Sequence, residues 1–199
     1  MTPASRIGVL ALQGAYQKHI ELLQAEGYNC CTIRQPAELE PCNALIIPGG
    51  ESTTISLLIQ KNGLYEPIRA FASKYPVMGV CAGLILMASD IDDARVTPLG
   101  ILPFRAKRNY YGRQLHSFTT DITLAFDPDR TFPATFIRAP GIEVTSAETD
   151  VVASCGDEAV MIQAGRHVAL SFHPELTGDT RIHRYWLNRQ TKPESENPV

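Results

Sequence analysis

The sequence predicts an α/β protein: a doubly wound, mostly parallel sheet flanked by helices, with a smaller antiparallel β portion in its second half. Three observations carry this expectation. Residues 7–12, 44–47 and 77–80 are continuous apolar runs, the character of parallel strands buried on both faces. Segments with helical spacing alternate with these runs, as strand-helix-strand units require. From residue 91 to 145 the pattern changes to short alternating apolar segments broken by turn residues, which suggests antiparallel strands and extended loops.

Taken in order, the run 7–12 is a first strand, expected at the sheet's centre and ended by Gln13-Gly14. Residues 16–25 follow with apolar side chains at Tyr16, Ile20 and Leu23, one face of a helix, and Gly27 stands where a C-cap glycine belongs. A second strand over 29–33 and a polar connection over 35–39 lead to a third strand, Ala44 to Ile47, which ends in Pro48-Gly49-Gly50-Glu51-Ser52. Helices over 53–60 and 65–73 are separated by the breaker Asn62-Gly63. Strands over 151–154, 159–163 and 167–172 are joined by turns at Gly156-Asp157 and Ala164-Gly165-Arg166. Asp179 is placed to cap a closing helix through 189, with Ile182, Trp186 and Leu187 on its buried face. Residues 1–189 are expected to form one domain, and 190–199 a polar, frayed tail.

Composition narrows the function. A 44% hydrophobic and 20% charged chain of 199 residues with net charge -3 has no basic excess with which to bind nucleic acid. No apolar run is long enough to cross a bilayer. The opening Met1-Thr2-Pro3-Ala4-Ser5-Arg6 passes into a strand rather than a signal-peptide core, so a cytoplasmic location is expected. Five cysteines, two of them adjacent, with no paired His or Cys ligand spacing, read as reduced thiols and not as a metal site.

The chemistry concentrates in Val77-Met78-Gly79-Val80-Cys81-Ala82-Gly83-Leu84, a strand, a sharp turn and a helix start. Gly79 and Gly83 bracket Cys81 two residues away on either side, where a nucleophile elbow needs positions without a Cβ. The thiol is then displayed at a helix N-terminus, whose N–H groups favour a thiolate and can hold an oxyanion. Gly50 and Ala82 are the two expected oxyanion donors, because the Gly49-Gly50 turn opens on the same edge of the sheet. In His173-Pro174-Glu175, proline keeps His173 extended, so Glu175 points to the same side and can hold the ring as a base towards the thiol. Arg108, Arg113 and Arg138 are candidate clamps for a substrate carboxylate, against the alternative that each is solvated. His19, His116, His167 and His183 have no partner nearby in sequence and are assigned to structure, as Cys30, Cys31 and Cys42 are to the core or its edge.

These pieces together resemble the class I (triad) glutamine amidotransferases, most closely the PdxT-type glutaminase subunits of pyridoxal 5'-phosphate synthase, whose fold is flavodoxin-like. The resemblance runs through Gly8-Val9-Leu10-Ala11-Leu12-Gln13-Gly14, Pro48-Gly49-Gly50-Glu51-Ser52-Thr53-Thr54, Cys81-Ala82-Gly83-Leu84, Arg108-Asn109-Tyr110-Tyr111-Gly112-Arg113-Gln114, Phe136-Ile137-Arg138-Ala139-Pro140 and Ser171-Phe172-His173-Pro174-Glu175-Leu176-Thr177. It implies Cys81 as nucleophile, His173 as its base and acid, and Glu175 as the group that orients the histidine. Glutamine binding is implied for Gly50, Glu51, Ser52, Arg108, Ile137 and Arg138, and a partner-coupled loop at Gln13 and Gly14. No metal or organic cofactor is implied. The implied partner is a PdxS-type synthase subunit in a large hetero-oligomer, which uses the ammonia with a pentose phosphate and a triose phosphate to make pyridoxal 5'-phosphate. Val80 and Gly141 depart from the threonine and histidine frequent in that family, both outside the triad. Two alternatives remain at this stage: a glutaminase serving another acceptor, such as imidazole glycerol phosphate synthase, and a thiol redox sensor on the same scaffold.

Overall fold

The computed structural model describes residues 6–108 and 117–188. The elements in chain order are β1 (Arg6–Leu10), α1 (Tyr16–Ala25), β2 (Asn29–Ile33), β3 (Ala44–Ile47), α2 (Ser52–Lys61), α3 (Tyr65–Ala72), β4 (Val77–Val80) and α4 (Ala82–Met87). They continue as β5 (Ala88–Ile91), β6 (Leu102–Lys107), β7 (Ser117–Leu124), β8 (Asp127–Ile137), β9 (Gly141–Val144), β10 (Asp150–Cys155), β11 (Glu158–Ala164), β12 (His167–Leu170) and α5 (Arg181–Asn188).

Among the described residues, nine strands form one sheet in the order β2-β1-β3-β4-β12-β11-β10-β7-β8. The first five run parallel, and the sheet continues antiparallel from β12 to β8. The doubly wound sheet and its antiparallel portion are therefore one continuous surface. A second sheet, β5-β6-β9, lies apart. Two expectations are corrected. β1 is interior but second from the edge, with β4 and β12 nearer the middle, because the later strands add only on the β4 side. In the second half, β5 pairs parallel with β6, since α4 turns at Met87 directly into β5 and the loop 92–101 brings the chain back in the same direction.

Alternation along the strands supplies a core on each face. Leu10, Leu45 and Ile47 point to α2, α3 and α4, whereas Ile7, Val9, Ala44, Ile46, Met78 and Val80 point to α1 and α5, where Trp186 is fully buried. Both faces of the parallel strands are covered, which is why they read as unbroken apolar runs. The expected hairpin turns form at Gly156, with φ +60°, and Gly165, with φ +55°. Asp179 Oδ1 accepts from the backbone N–H of Arg181 at 2.9 Å, at the start of α5. The predicted frayed tail lies outside the described residues.

The elbow depends on two close approaches. A Cβ on Gly83 would stand 1.9 Å from the carbonyl oxygen of Ile47, and one on Gly79 would stand 2.5 Å from Met87 Sδ and 2.7 Å from the Gly83 backbone. Gly83→Ala is expected to cost about 3 kcal/mol or more, since backbone must move. Gly27→Ala, with open space around it and φ +84°, should cost only the roughly 1–2 kcal/mol of a left-handed residue. Denaturant unfolding of both variants checks this; an equal loss at the two positions contradicts the packing account.

Candidate active site

Three loops meet at the C-terminal edge of the parallel strands: the turn after β3, the elbow after β4 and the turn after β12. Because β3, β4 and β12 are adjacent, the segments 48–52, 81–83 and 171–175 share one crevice. That crevice has a volume of about 370 Å³, suited to a small molecule. Gln13, Gly14, Gly50, Glu51, Ser52, Cys81, Ala82, Arg108, Ile137, Arg138 and His173 all line it. Of the described site residues singled out in the sequence, Glu175 stands behind the wall, against His173. Arg113 and His116 lie outside the described residues.

Cys81 sits between β4 and α4 with φ 51° and ψ -100°. Its N–H donates to the Leu170 carbonyl at 2.8 Å, and its Sγ lies 3.9 Å from the carbonyl oxygen of Ile137. Among the described residues, Cys81 and Arg138, with φ 44°, are the non-glycine positions with positive φ, and both border the crevice. Backbone strain collects at functional sites because only a surrounding structure that over-determines it can hold it.

The histidine ring is fixed on several sides. Its backbone N–H donates to the Thr135 carbonyl at 2.9 Å. Nδ1 stands 2.7 Å from Glu175 Oε1. Burial opposes a charge on His173, but the neighbouring Cys81 side chain and the bond to Glu175 outweigh it and raise the imidazolium to about 10. Burial likewise opposes a charge on Glu175, yet its carboxyl is held below the usual range by the hydrogen bond from His173 and by the facing His19 ring. Gly49 belongs to this arrangement although it was not assigned a role from the sequence: a Cβ there would stand 2.5 Å from His173 Cε1. Its sequence signal was the glycine pair itself.

The loop after β1 is latched to the turn after β3. Gln13 Oε1 accepts from the Glu51 N–H at 2.8 Å, Ala15 N–H donates to the Gly49 carbonyl at 2.9 Å, and a Cβ on Gly14 would stand 1.9 Å from that carbonyl oxygen. Glu51 is the N-cap of α2, accepting from the backbone N–H groups of Thr53 and Thr54 at 3.2 and 2.7 Å and from both hydroxyls. Its Oε1 also holds Arg108 at 2.6 Å, and Asp93 holds the other arm of that guanidinium at 2.6 Å. Arg108 is thus clamped between two carboxylates rather than solvated. Asp93 was missed, because nothing near it in sequence points to a residue fifteen positions away.

The remaining cysteines stay outside. Burial pushes Cys30 up to about 11 and Cys42 up to about 12, so neither supplies a thiolate at neutral pH. His167 is structural as expected: its Nδ1 accepts from the Val77 N–H at 3.2 Å. His19 is not isolated, since its Nε2 lies 3.5 Å from Glu175 Oε2.

A strained cysteine on an elbow, beside a buried histidine-carboxylate pair at the edge of an α/β sheet, is an arrangement suited to thiol-based acyl transfer with an amide substrate. Comparison with known proteins makes the class specific: residues 9–192 match the SNO glutamine amidotransferase family, and the chain belongs to it. It is 44% identical over 185 residues to the pyridoxal 5'-phosphate synthase subunit PdxT of Pelotomaculum thermopropionicum, covering 92% of this chain and 94% of the relative. It is 45% identical over 183 residues to the protein of the same name from Moorella thermoacetica, covering 92% and 97%. A crystal structure described as a glutamine amidotransferase superposes with TM-score 0.88 at 38% identity, covering 94% of this chain and 99% of that one. The PurLQS structure from Thermotoga maritima, at TM-score 0.72 and 15% identity, shares the fold.

Glu51 gives a pH test of the α2 cap. Its carboxyl is lowered from 4.5 to about 2; burial opposes this, and the hydrogen bonds from Thr53 and Thr54 prevail. A depressed folded value means stability that is fully present above about 4.5 and lost as pH falls towards 2. The stability gap between wild type and Glu51→Gln should be open at pH 7 and narrow between pH 4.5 and 2, measured by denaturant unfolding. A gap independent of pH contradicts the ionised cap.

Proposed function

We propose that this chain is the glutamine-hydrolysing subunit of a pyridoxal 5'-phosphate synthase, with Cys81, His173 and Glu175 as its catalytic triad. The observation that carries the proposal is a crevice lined by Cys81 and His173, with Glu175 holding the histidine from behind, and by Arg108 and Arg138. The identity of 44–45% to PdxT proteins over most of the chain supports the pathway.

In the proposed reaction the Cys81 thiolate attacks the side-chain amide carbon of L-glutamine, and the oxyanion is held by the N–H groups of Gly50 and Ala82. His173, protonated at neutral pH, gives its proton to the departing ammonia as the C–N bond breaks. The neutral ring then takes a proton from water as it adds to the γ-glutamyl thioester. Glutamate leaves, and Cys81 and His173 return to their starting state. Protein side chains, backbone and water account for each of these steps.

The substrate's amino-acid end is assigned to Gly50, Glu51, Ser52, Arg108, Ile137 and Arg138. Ser52 Oγ is buried and without a hydrogen-bond partner among the described residues, as a group reserved for a ligand would be. Glu51 acts here mainly by holding Arg108. Ammonia passes to a PdxS-type synthase subunit. A single domain over 1–189, cytoplasmic action and a large hetero-oligomer complete the proposal. Gln13 and Gly14 couple docking to catalysis, because their loop is bonded to the turn that carries the Gly50 N–H.

Glutamate release from glutamine, with and without the synthase subunit, tests the reading. Wild type should be stimulated by the partner, and Cys81→Ala should lose roughly a thousandfold or more. Gln13→Ala should lower the partner-stimulated rate while leaving the unstimulated rate nearly unchanged. Full activity in Cys81→Ala, or stimulation only by a different synthase, contradicts the triad or the pathway respectively.

A further inference from the structure

Behind the triad, three polar side chains from separate parts of the chain meet in the core. His19 on α1 and His183 on α5 are fully buried, and His19 Nδ1 lies 3.3 Å from His183 Nε2. On its other side, His19 Nε2 is 3.5 Å from Glu175 Oε2, and neither atom has a hydrogen-bond partner among the described residues. At 3.5 Å this is an ion-dipole contact, and a movement of about half an ångström makes it a hydrogen bond. Leaving such groups unpaired in a core is costly, so their mutual facing calls for a role.

The protonation pattern follows from elementary constraints. Glu175 is ionised and can only accept, so His19 Nε2 must carry the hydrogen that faces it. Burial lowers the pKa of His19, opposed by Glu175 and aided by His173, and lowers His183 to about 3, so both rings are neutral near pH 7. A neutral His19 with hydrogen on Nε2 has a lone pair on Nδ1. His183 Nε2–H therefore donates to it. Each donor in the line faces an acceptor: His183 to His19, His19 to Glu175, and His173 Nδ1–H to Glu175 Oε1.

Resting on the function proposed above, we infer that His19 is a positioning residue for the glutaminase reaction, holding the second oxygen of Glu175, and that His183 sets the His19 tautomer that does so. Oε1 takes the His173 ring, and a carboxylate whose second oxygen is left unmet can turn about its side-chain torsions and release the ring from its line towards Cys81. With Oε2 met by His19, the carboxylate plane is fixed by α1 as well as by the 174–176 turn, on which that helix packs. Orienting shells of this kind act on turnover rather than on substrate affinity.

The test is glutamate release in the assembled complex with the synthase subunit, comparing wild type, His19→Leu, His19→Gln and Cys81→Ala, with kcat expressed per folded molecule from near-ultraviolet circular dichroism. His19→Leu should lower kcat about tenfold with KM within about twofold. His19→Gln, whose terminal N–H₂ reaches the place of the ring Nε2–H, should recover to within about threefold of wild type. An unchanged kcat in His19→Leu, or a His19→Gln variant as impaired as His19→Leu, overturns the inference. If His19→Leu does not fold, His183→Phe carries the test: it retains a ring, removes the donor to His19, and should lower kcat about threefold, whereas an unchanged value overturns the role. Cys81→Ala separates the two levels. If it remains active the underlying function fails, while an inactive Cys81→Ala beside a fully active His19→Leu sinks only the role of His19.

Discussion

The structure depends on the backbone at Cys81. The chain leaves β4 and enters α4 through one residue, which forces a cysteine to φ 51° at a cost of about 1–2 kcal/mol. What holds it there is contact between main chains: Gly83 lies against the Ile47 carbonyl, Gly79 lies under the Gly83 backbone, and the Cys81 N–H is tied to Leu170. These contacts also join β4 to β3 and β12. The strands that carry the Gly49-Gly50 turn and His173 are therefore locked to the elbow by the same constraint that strains it.

Electrostatics then differentiates the crevice. On one side, the buried His173-Glu175 pair keeps an imidazolium beside the thiol, and further buried groups stand behind Glu175. On the other, Arg108 is held between Glu51 and Asp93, which leaves its guanidinium positioned without the freedom of a surface side chain. The loop at Gln13 and Gly14 lies where the β1 end meets the turn after β3, so it bears on the crevice without belonging to the triad.

Most of the fold and the outline of the site were legible because their signals are local. Apolar runs disclosed the parallel strands and Gly79 and Gly83 disclosed the elbow; His173 and Glu175 do pair, but through a 3-10 turn over 174–176 rather than the extended chain expected from the proline. The less legible features depend on contacts between distant segments. Asp93 meets Arg108 only once the loop after β5 folds back, and His19 meets Glu175 and His183 only once α1 and α5 pack on the same face. The parallel pairing of β5 with β6 was hidden for a different reason: strands this short carry too few residues to declare a direction. A sequence motif also cannot show that the Glu51 carboxylate caps α2 and holds Arg108, which depends on the folded turn.

The central claim is that one thiol of five, set by the elbow, forms a covalent bond with the γ-carbonyl of glutamine. The most direct measurement is mass spectrometry of the protein, assembled with its synthase subunit and treated with a diazoketone analogue of glutamine. The account predicts one adduct per chain, on the peptide containing Cys81, prevented by excess glutamine. An adduct spread over Cys30, Cys31, Cys42 or Cys155, or labelling of Cys81 that glutamine does not block, would contradict it.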